Sequence, residues 1–240
     1  MRTLIFMLLL TALASAQADP AALMLGVNNI AAADKLIIVT TPDWNSVKGR
    51  LVRSEKRGGH WEQLGGPVEI VVGKNGMGWT PALPPEKDAP VKHEGDGRSP
   101  AGVFLLTQTF GFADSLPVAK DYLALTPAIE CVDDVKSKHY AHIVDHSEVP
   151  VDWNSSEKMR EISLYKWGVV VPYNMSGTKS GAGSCIFLHI RPASGNGTAG
   201  CTAMPEANIE EVVRWIGNGG VLVQMPEVEY ANMKTKLGTP

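Results

Sequence analysis

The chain has 240 residues, 22 Lys and Arg against 25 Asp and Glu, a formal charge of −3 and three cysteines. A charge balance this close to neutral argues against a nucleic-acid partner. The length suits one large or two small domains that can bury a core without disulfide staples.

The first residues, MRTLIFMLLLTALASAQADP, place one Arg before an apolar run from Leu4 to Leu13, followed by the small-residue patterns Ala14-Ser15-Ala16 and Ala16-Gln17-Ala18. The apolar part is shorter than the roughly 18 residues of a membrane span and ends as a cleavage site does, so residues 1–18 are expected to be a secretory signal peptide. The mature protein is then expected to be exported, periplasmic and without stable membrane insertion. Loss of Arg2 leaves it at −4.

Downstream, Leu36 to Thr40 reads as a strand that Thr41-Pro42-Asp43 ends with turn chemistry. RLVRSEKRGGHWEQLGGPVEIVVG alternates strand-like pieces with Gly-Gly breaks, the rhythm of antiparallel hairpins. Pro81 to Pro90 is a Pro- and charge-rich connector. An Asp96-Gly97 turn leads to a strand at Val103 to Thr107, and residues 120–150 are mixed and polar. WNSSEKMREISLY predicts a short helix capped by Ser155 or Ser156, and YKWGVVVPYN another strand. In CIFLHI a period of two sets Cys185, Phe187 and His189 on one face and Ile186, Leu188 and Ile190 on the other. Ile209, Val212, Val213 and Ile216 fall at i, i+3, i+4 and i+7, a helix face with Pro205 and Glu206 suited to its first turn.

The chemistry concentrates in HIRPASGNGTAGCTAM. His189 ends a strand, and Cys201 follows twelve positions later, after a loop of small residues and just before the predicted helix. A thiolate is stabilised by a neighbouring imidazolium and by a helix N terminus, so His189 is expected to lower the thiol pKa and act as base. Gly200 lets a substrate carbonyl approach, and the amides of Gly200, Cys201 and Thr202 are candidate oxyanion donors. These are the parts of acyl transfer through a thioester. Taken alone, a His on a strand and a Cys in a loop are more often structural. An odd thiol in an exported protein favours the functional alternative.

The same residues, with several co-ordered motifs, resemble the L,D-transpeptidase (YkuD-type) catalytic domain. The resemblance rests on His189, the Gly/Ser-rich loop and Gly200-Cys201, and on GDGRSPAGVF (Gly95 to Phe104). It is closest to a branch carrying CVDD, the Trp167 to Asn174 strand, SCIFLHI and GTAGCTAM. It implies a catalytic domain at 33–226 followed by a C-terminal tail at 227–240. The implied fold is mainly β, antiparallel and sandwich-like, with one or two short helices packed on it. The implied activity is attack of Cys201 on the third-residue carbonyl of a peptidoglycan stem tetrapeptide, release of D-Ala, and resolution of the thioester by an amine. The link would be 3-3, or 1-3 as associated with this branch. No cofactor or metal is called for, and peptidoglycan stem peptides are the partner. The family's frequent second histidine before the cysteine is absent, since Thr198-Ala199-Gly200 stands there. Two alternatives use the same sequence: an L,D-carboxypeptidase or hydrolase in which water resolves the thioester, and a non-catalytic wall-binding module.

Other residues are weighed beside these. Arg191 is a possible partner for a stem-peptide carboxylate, against a solvent-facing alternative, and Tyr173 and Asn174 match the branch pattern as site-lining residues. Cys131 and Cys185 either form a disulfide, the expectation in an oxidising compartment, or stay as buried thiols. His139, His142 and His146 would hold a metal only if helical; Ile143 and Val144 favour a strand or turn that separates them. Asp133-Asp134 reads as a solvated turn, with attraction for an acceptor amine as the alternative.

Overall fold

The computed structural model describes residues 20–80, 89–217 and 219–240. The expected signal peptide and most of the 81–90 connector lie outside the described residues.

The described chain begins with α1 (Pro20–Ala32) and β1 (Lys35–Thr41). The hairpin of β2 (Lys48–Arg57) and β3 (His60–Val71) follows, closed at Gly58 and Gly59, whose φ values of 56° and 83° are the left-handed pair a two-residue hairpin turn requires. Short strands come next: β4 (Met77–Trp79), β5 (Ser99–Leu106), β6 (Thr109–Gly111), β7 (Tyr122–Ala124), β8 (Ile129–Val132), β9 (Ile143–Asp145) and β10 (Ser156–Lys158). Then come β11 (Trp167–Val170), β12 (Phe187–Ile190), β13 (Thr202–Met204), α2 (Glu206–Ile216), β14 (Gly220–Pro226) and α3 (Glu227–Leu237).

The protein is mainly β, as expected. Eleven strands form one sheet in the order β4-β5-β14-β1-β2-β3-β13-β12-β11-β6-β7, and β10-β8-β9 form a small second sheet. Strand directions are mixed: β1 with β14, β4 with β5, β6 with β7 and β12 with β13 run parallel. The last pairing matters most for the site. A parallel neighbour needs a crossover connection, and residues 191–201 supply it, returning the chain beside the strand it has just left.

β1 and β14 are the sheet's interior, and their near-continuous apolar runs are those of strands covered on both faces. On α2 the four predicted residues, Ile209, Val212, Val213 and Ile216, are all buried. Each such side chain gains roughly 1.5–3 kcal/mol from burial, enough to hold the helix against β11, β12 and β13.

Two segments differ from the sequence expectation. WNSSEKMREISLY is not one helix: residues 156–158 pair with β8, and two short 3-10 turns follow at Met159–Glu161 and Ser163–Tyr165. Ser156 does not cap, because its hydroxyl donates to Glu130 Oε2 at 2.5 Å. The segment 227–240, expected as a tail, carries α3, which ends at a left-handed Gly238 (φ 67°) with Leu237 buried.

β12 places the site. Its alternation sends Ile186 and Leu188 into the large core shared with α2, and Cys185 and Phe187 into a second cluster with Phe110, Met159 and Tyr165. That second cluster lies where the small sheet meets the large one, and Cys201 belongs to it.

Candidate active site

Cys201 is fixed by its neighbours in the chain and in the sheet. The register Leu188↔Thr202 draws Cys201 alongside Phe187, whose backbone N–H donates to Cys201 Sγ at 3.3 Å. The thiol donates in turn to the Cys185 carbonyl at 3.4 Å. Both groups face the sulfur because the chain turns at Cys185, a non-glycine residue with φ 54°. The Cys201 carbonyl accepts from Ser99 Oγ at 2.9 Å and from Thr198 Oγ1 at 2.5 Å. Ser99 also accepts from Gly73 N–H at 2.9 Å, so one buried hydroxyl ties the Cys201 carbonyl to the exit of β3.

The connecting loop is pinned as well. Lys74 N–H donates to Thr198 O at 2.8 Å and Thr198 N–H to Val72 O at 2.9 Å. A Cβ on Gly197 would lie 2.5 Å from Lys74 Cα, so glycine is needed where these backbones touch. The small-residue loop is therefore laced to the chain just after β3.

His189 is 5% exposed, and its Nδ1 lies 2.7 Å from Ile190 O. A carbonyl can only accept, so Nδ1 carries the proton and Nε2 is the ring's acceptor. The ring packs edge-on against Tyr165 at 5.3 Å between centroids. Burial lowers its pKa from 6.5 to about 4, with the Ile190 carbonyl opposing, so the imidazole is neutral at ordinary pH.

The electrostatics overturn one expectation. Cys201 is not a depressed-pKa thiol paired with imidazolium: burial pushes it far up, and the Glu157 carboxylate pushes it further. The Phe187 N–H, the Tyr165 hydroxyl and the Lys92 charge oppose this and do not reverse it. Nor does Cys201 sit at a helix N terminus, because β13 and Pro205 stand between it and α2. The predicted helix assistance is therefore absent.

His189 and Cys201 face one cavity of about 330 Å³, walled also by Lys74, Lys92, Glu94, Gly95, Gly97, Asp133, Glu157 and Tyr165. The oxyanion expectation changes. Gly200 N–H already donates to Thr198 Oγ1 at 3.2 Å, and Thr202 lies in β13 opposite Leu188 with its hydroxyl on Gln224 Oε1 at 2.6 Å. Gly200 is also close-packed rather than open, since a Cβ there would sit 3.2 Å from Arg98 O.

Three expected substrate residues lie elsewhere. Tyr173 is buried in the large core with its hydroxyl on Ala182 O at 2.6 Å. Asn174, at φ 57°, organises the following loop by donating to Lys179 O and Gly183 O, each at 2.9 Å. Arg191 is not among the residues lining the cavity, whose wall holds Lys74 and Lys92 as its cations. Cys131 and Cys185 are joined in a disulfide with Cα atoms 5.9 Å apart, leaving Cys201 as the free thiol. The three histidines of HYAHIVDH are separated: His142 Nδ1 meets Tyr140 O at 2.8 Å, His146 Nδ1 meets Glu130 Oε1 at 2.9 Å, and His139 packs on Trp153. Asp134 makes the Asx-type turn, accepting from Lys136 N–H at 2.9 Å. Asp133 instead lines the cavity.

Sequence reasoning missed Glu157, Tyr165, Ser99, Lys92 and Glu94. Tyr165 donates to Glu157 Oε2 at 2.6 Å. Burial pushes the Glu157 carboxyl up to about 7, aided by Asp133 and Glu94 and opposed by the Tyr165 hydrogen bond. Lys92 is almost wholly buried and paired with Asp96 at 2.8 Å. Glu94 Oε2 accepts from Tyr140 and, at 2.7 Å, from Ser184. Among these, only Ser99 and Glu94 sit in or next to a segment that the sequence had tied to the site, the GDGRSPAGVF run; Glu157 and Tyr165 lie in the segment read as a short helix.

Among solved structures, the Bdellovibrio bacteriovorus Bd1075 structure is similar, at 14% identity and a TM-score of 0.39. The match covers 86% of this chain, which spans about half (55%) of that protein's length. No curated protein matches the chain. The family model for the L,D-transpeptidase catalytic domain (YkuD) matches residues 37–226, which contain the sulfur, the imidazole and most of the main sheet, and the chain belongs to that family.

Proposed function

We propose that the protein is an exported, periplasmic peptidoglycan L,D-transpeptidase that forms 3-3 or 1-3 crosslinks through a Cys201 thioester. One observation carries the reading: a free thiol and a neutral imidazole with its acceptor nitrogen available face the same cavity. The thiol is protonated at rest, so its proton must leave as the bond to carbon forms. His189 Nε2 takes that proton while sulfur attacks the third-residue carbonyl of a stem tetrapeptide. The imidazolium then protonates the departing nitrogen and D-Ala leaves, with the acyl group on sulfur. An acceptor amine gives a proton to His189 as it attacks the thioester, and the proton returns to Cys201 as the C–S bond breaks. Lys74, at the cavity wall, is placed to meet a stem-peptide carboxylate.

The test is intact-protein mass spectrometry after incubation with purified tetrapeptide muropeptides. The native protein should gain the mass of an acyl group, and Cys201→Ala should gain none. Crosslinked dimers among the products support transpeptidation. Tripeptide without dimer would move the assignment to carboxypeptidase, and the same adduct in the Cys201→Ala variant would remove the nucleophile altogether.

A further inference from the structure

In the wall of the same cavity sits a pair of groups, Glu157 and Tyr165, that the mechanism above does not use. The Tyr165 hydroxyl is within reach of Cys201 Sγ and is committed to Glu157 Oε2 at 2.6 Å. Its ring is locked by edge contacts to Phe110, Phe187 and His189, so the hydroxyl oxygen has a fixed place and only its proton can turn. Glu157 is fixed too. It lies on β10 opposite Cys131 of β8, and Cys131 is bonded to Cys185, whose carbonyl holds the thiol.

We infer that Glu157 is a positioning residue that sets which way the Tyr165 hydroxyl faces, and thereby whether the Cys201 thiolate has a second hydrogen-bond donor beside the Phe187 N–H. The inference rests on the reading of Cys201 as the nucleophile and adds a regulator of that atom. With Glu157 ionised, the carboxylate can only accept, so the Tyr165 proton points away from sulfur and a negative charge faces the forming thiolate. When Glu157 takes a proton from solvent, the new carboxylic O–H donates to the Tyr165 oxygen. The Tyr165 O–H then turns to the sulfur. No bond to substrate changes in this exchange; one proton is gained or lost at Glu157.

The surroundings place the switch near neutral pH. Glu157 is faced by the acidic side chains of Asp133 and Glu94 as well as by Tyr165, and burial, reinforced by these two acids, holds its carboxyl at about 7. On the sulfur side stand Lys92, whose charge is paired with Asp96, and neutral His189.

Native alkylation of Cys201 by iodoacetamide, followed by intact mass from pH 5.5 to 9.5, tests this without any muropeptide. A simple thiol labels faster in proportion to hydroxide. The native protein should follow that line and bend below it near pH 7 as Glu157 ionises. Glu157→Gln should lose the bend and label about tenfold faster than native above pH 8, the equivalent of one pKa unit of coupling. Tyr165→Phe should shrink the bend to the part that the Glu157 charge supplies by itself, and adding Glu157→Gln to it should remove that remainder with a smaller gain than the same substitution gives in the native protein. A native-like bend in either single variant, or superimposable native and Glu157→Gln profiles, overturns the inference; should Glu157→Gln fail to fold, Tyr165→Phe decides alone. Because labelling needs no substrate, absence of an acyl adduct with muropeptides would sink the transpeptidase reading and leave this result standing.

Discussion

Reduction of the Cys131–Cys185 bridge is a perturbation whose size follows from the structure. The bond closes a loop of sequence separation 54, and the chain-entropy relation gives about 4 kcal/mol for a closure of that length. For a domain of this size about 1 kcal/mol moves the melting temperature by roughly 2–4 °C, so thermal unfolding with excess dithiothreitol should come some 8–16 °C below the oxidised protein. The loss should be uneven. β8, β9 and β10 keep their own contacts through Glu130, which accepts from Trp153 Nε1 at 3.0 Å and from Ser156. What the bridge supplies is the docking of this small sheet onto β12. Hydrogen exchange should therefore rise across residues 129–158 and at Cys185 to Phe187, while β1, β2 and β3 stay protected. Equal melting of reduced and oxidised protein, within about 1 kcal/mol, would show that the two sheets dock without the bond and refute the reasoning.

Two further outcomes are expected. Ser99→Ala removes the hydroxyl shared by Gly73 N–H and the Cys201 carbonyl; leaving a buried N–H unpaired costs about 1–3 kcal/mol, so the urea midpoint should fall and acyl-adduct formation slow by about tenfold, and no change in both would discount the tie. His189 and Glu157 oppose each other in pH-dependent stability. His189, lowered from 6.5 to about 4, contributes stability present above pH 6.5 and lost as pH falls towards 4, whereas Glu157, raised from 4.5 to about 7, contributes stability present below pH 4.5 and lost as pH rises through 7. Glu157→Gln should therefore gain up to about 3 kcal/mol relative to native protein between pH 5 and pH 8.5, read from urea midpoints, and parallel curves would refute the assignment of the carboxyl shift.

What could be read from the sequence was what neighbours in the chain decide. The i, i+3, i+4, i+7 face of α2 is set by one helix packing on one sheet, and the alternation of β12 by one strand between two cores, so both patterns were visible. The Gly58-Gly59 hairpin was visible for the same reason. β13 was not, because three residues cannot show a period, and its absence from the sequence reading put Cys201 at a helix terminus where it does not lie. Glu157 and Tyr165 were hidden differently. They stand 44 and 36 positions from Cys201 in the chain, within a polar run that looks like a solvated helix, and only the pairing of β10 with β8 turns Glu157 inward. Tyr173 and Asn174 carried a motif signal, and in the fold Tyr173 packs in the large core while Asn174 organises the following loop.

The resting charges of the cavity explain why Cys201 and His189 are both neutral. A thiolate at Cys201 would place a second negative charge beside an ionisable Glu157, and an imidazolium at His189 would have to be created in a nearly dry position. Lys92 cannot balance either, being already paired with Asp96. Separating charge is therefore unfavourable at rest, and in the proposed function it waits for a polarised carbonyl to take the sulfur's electron pair as His189 takes the proton. Oxidation of a cysteine follows its thiolate fraction. A thiol held protonated at rest therefore oxidises slowly, and in the proposed function its attack on an acyl group waits for a donor to fill the cavity.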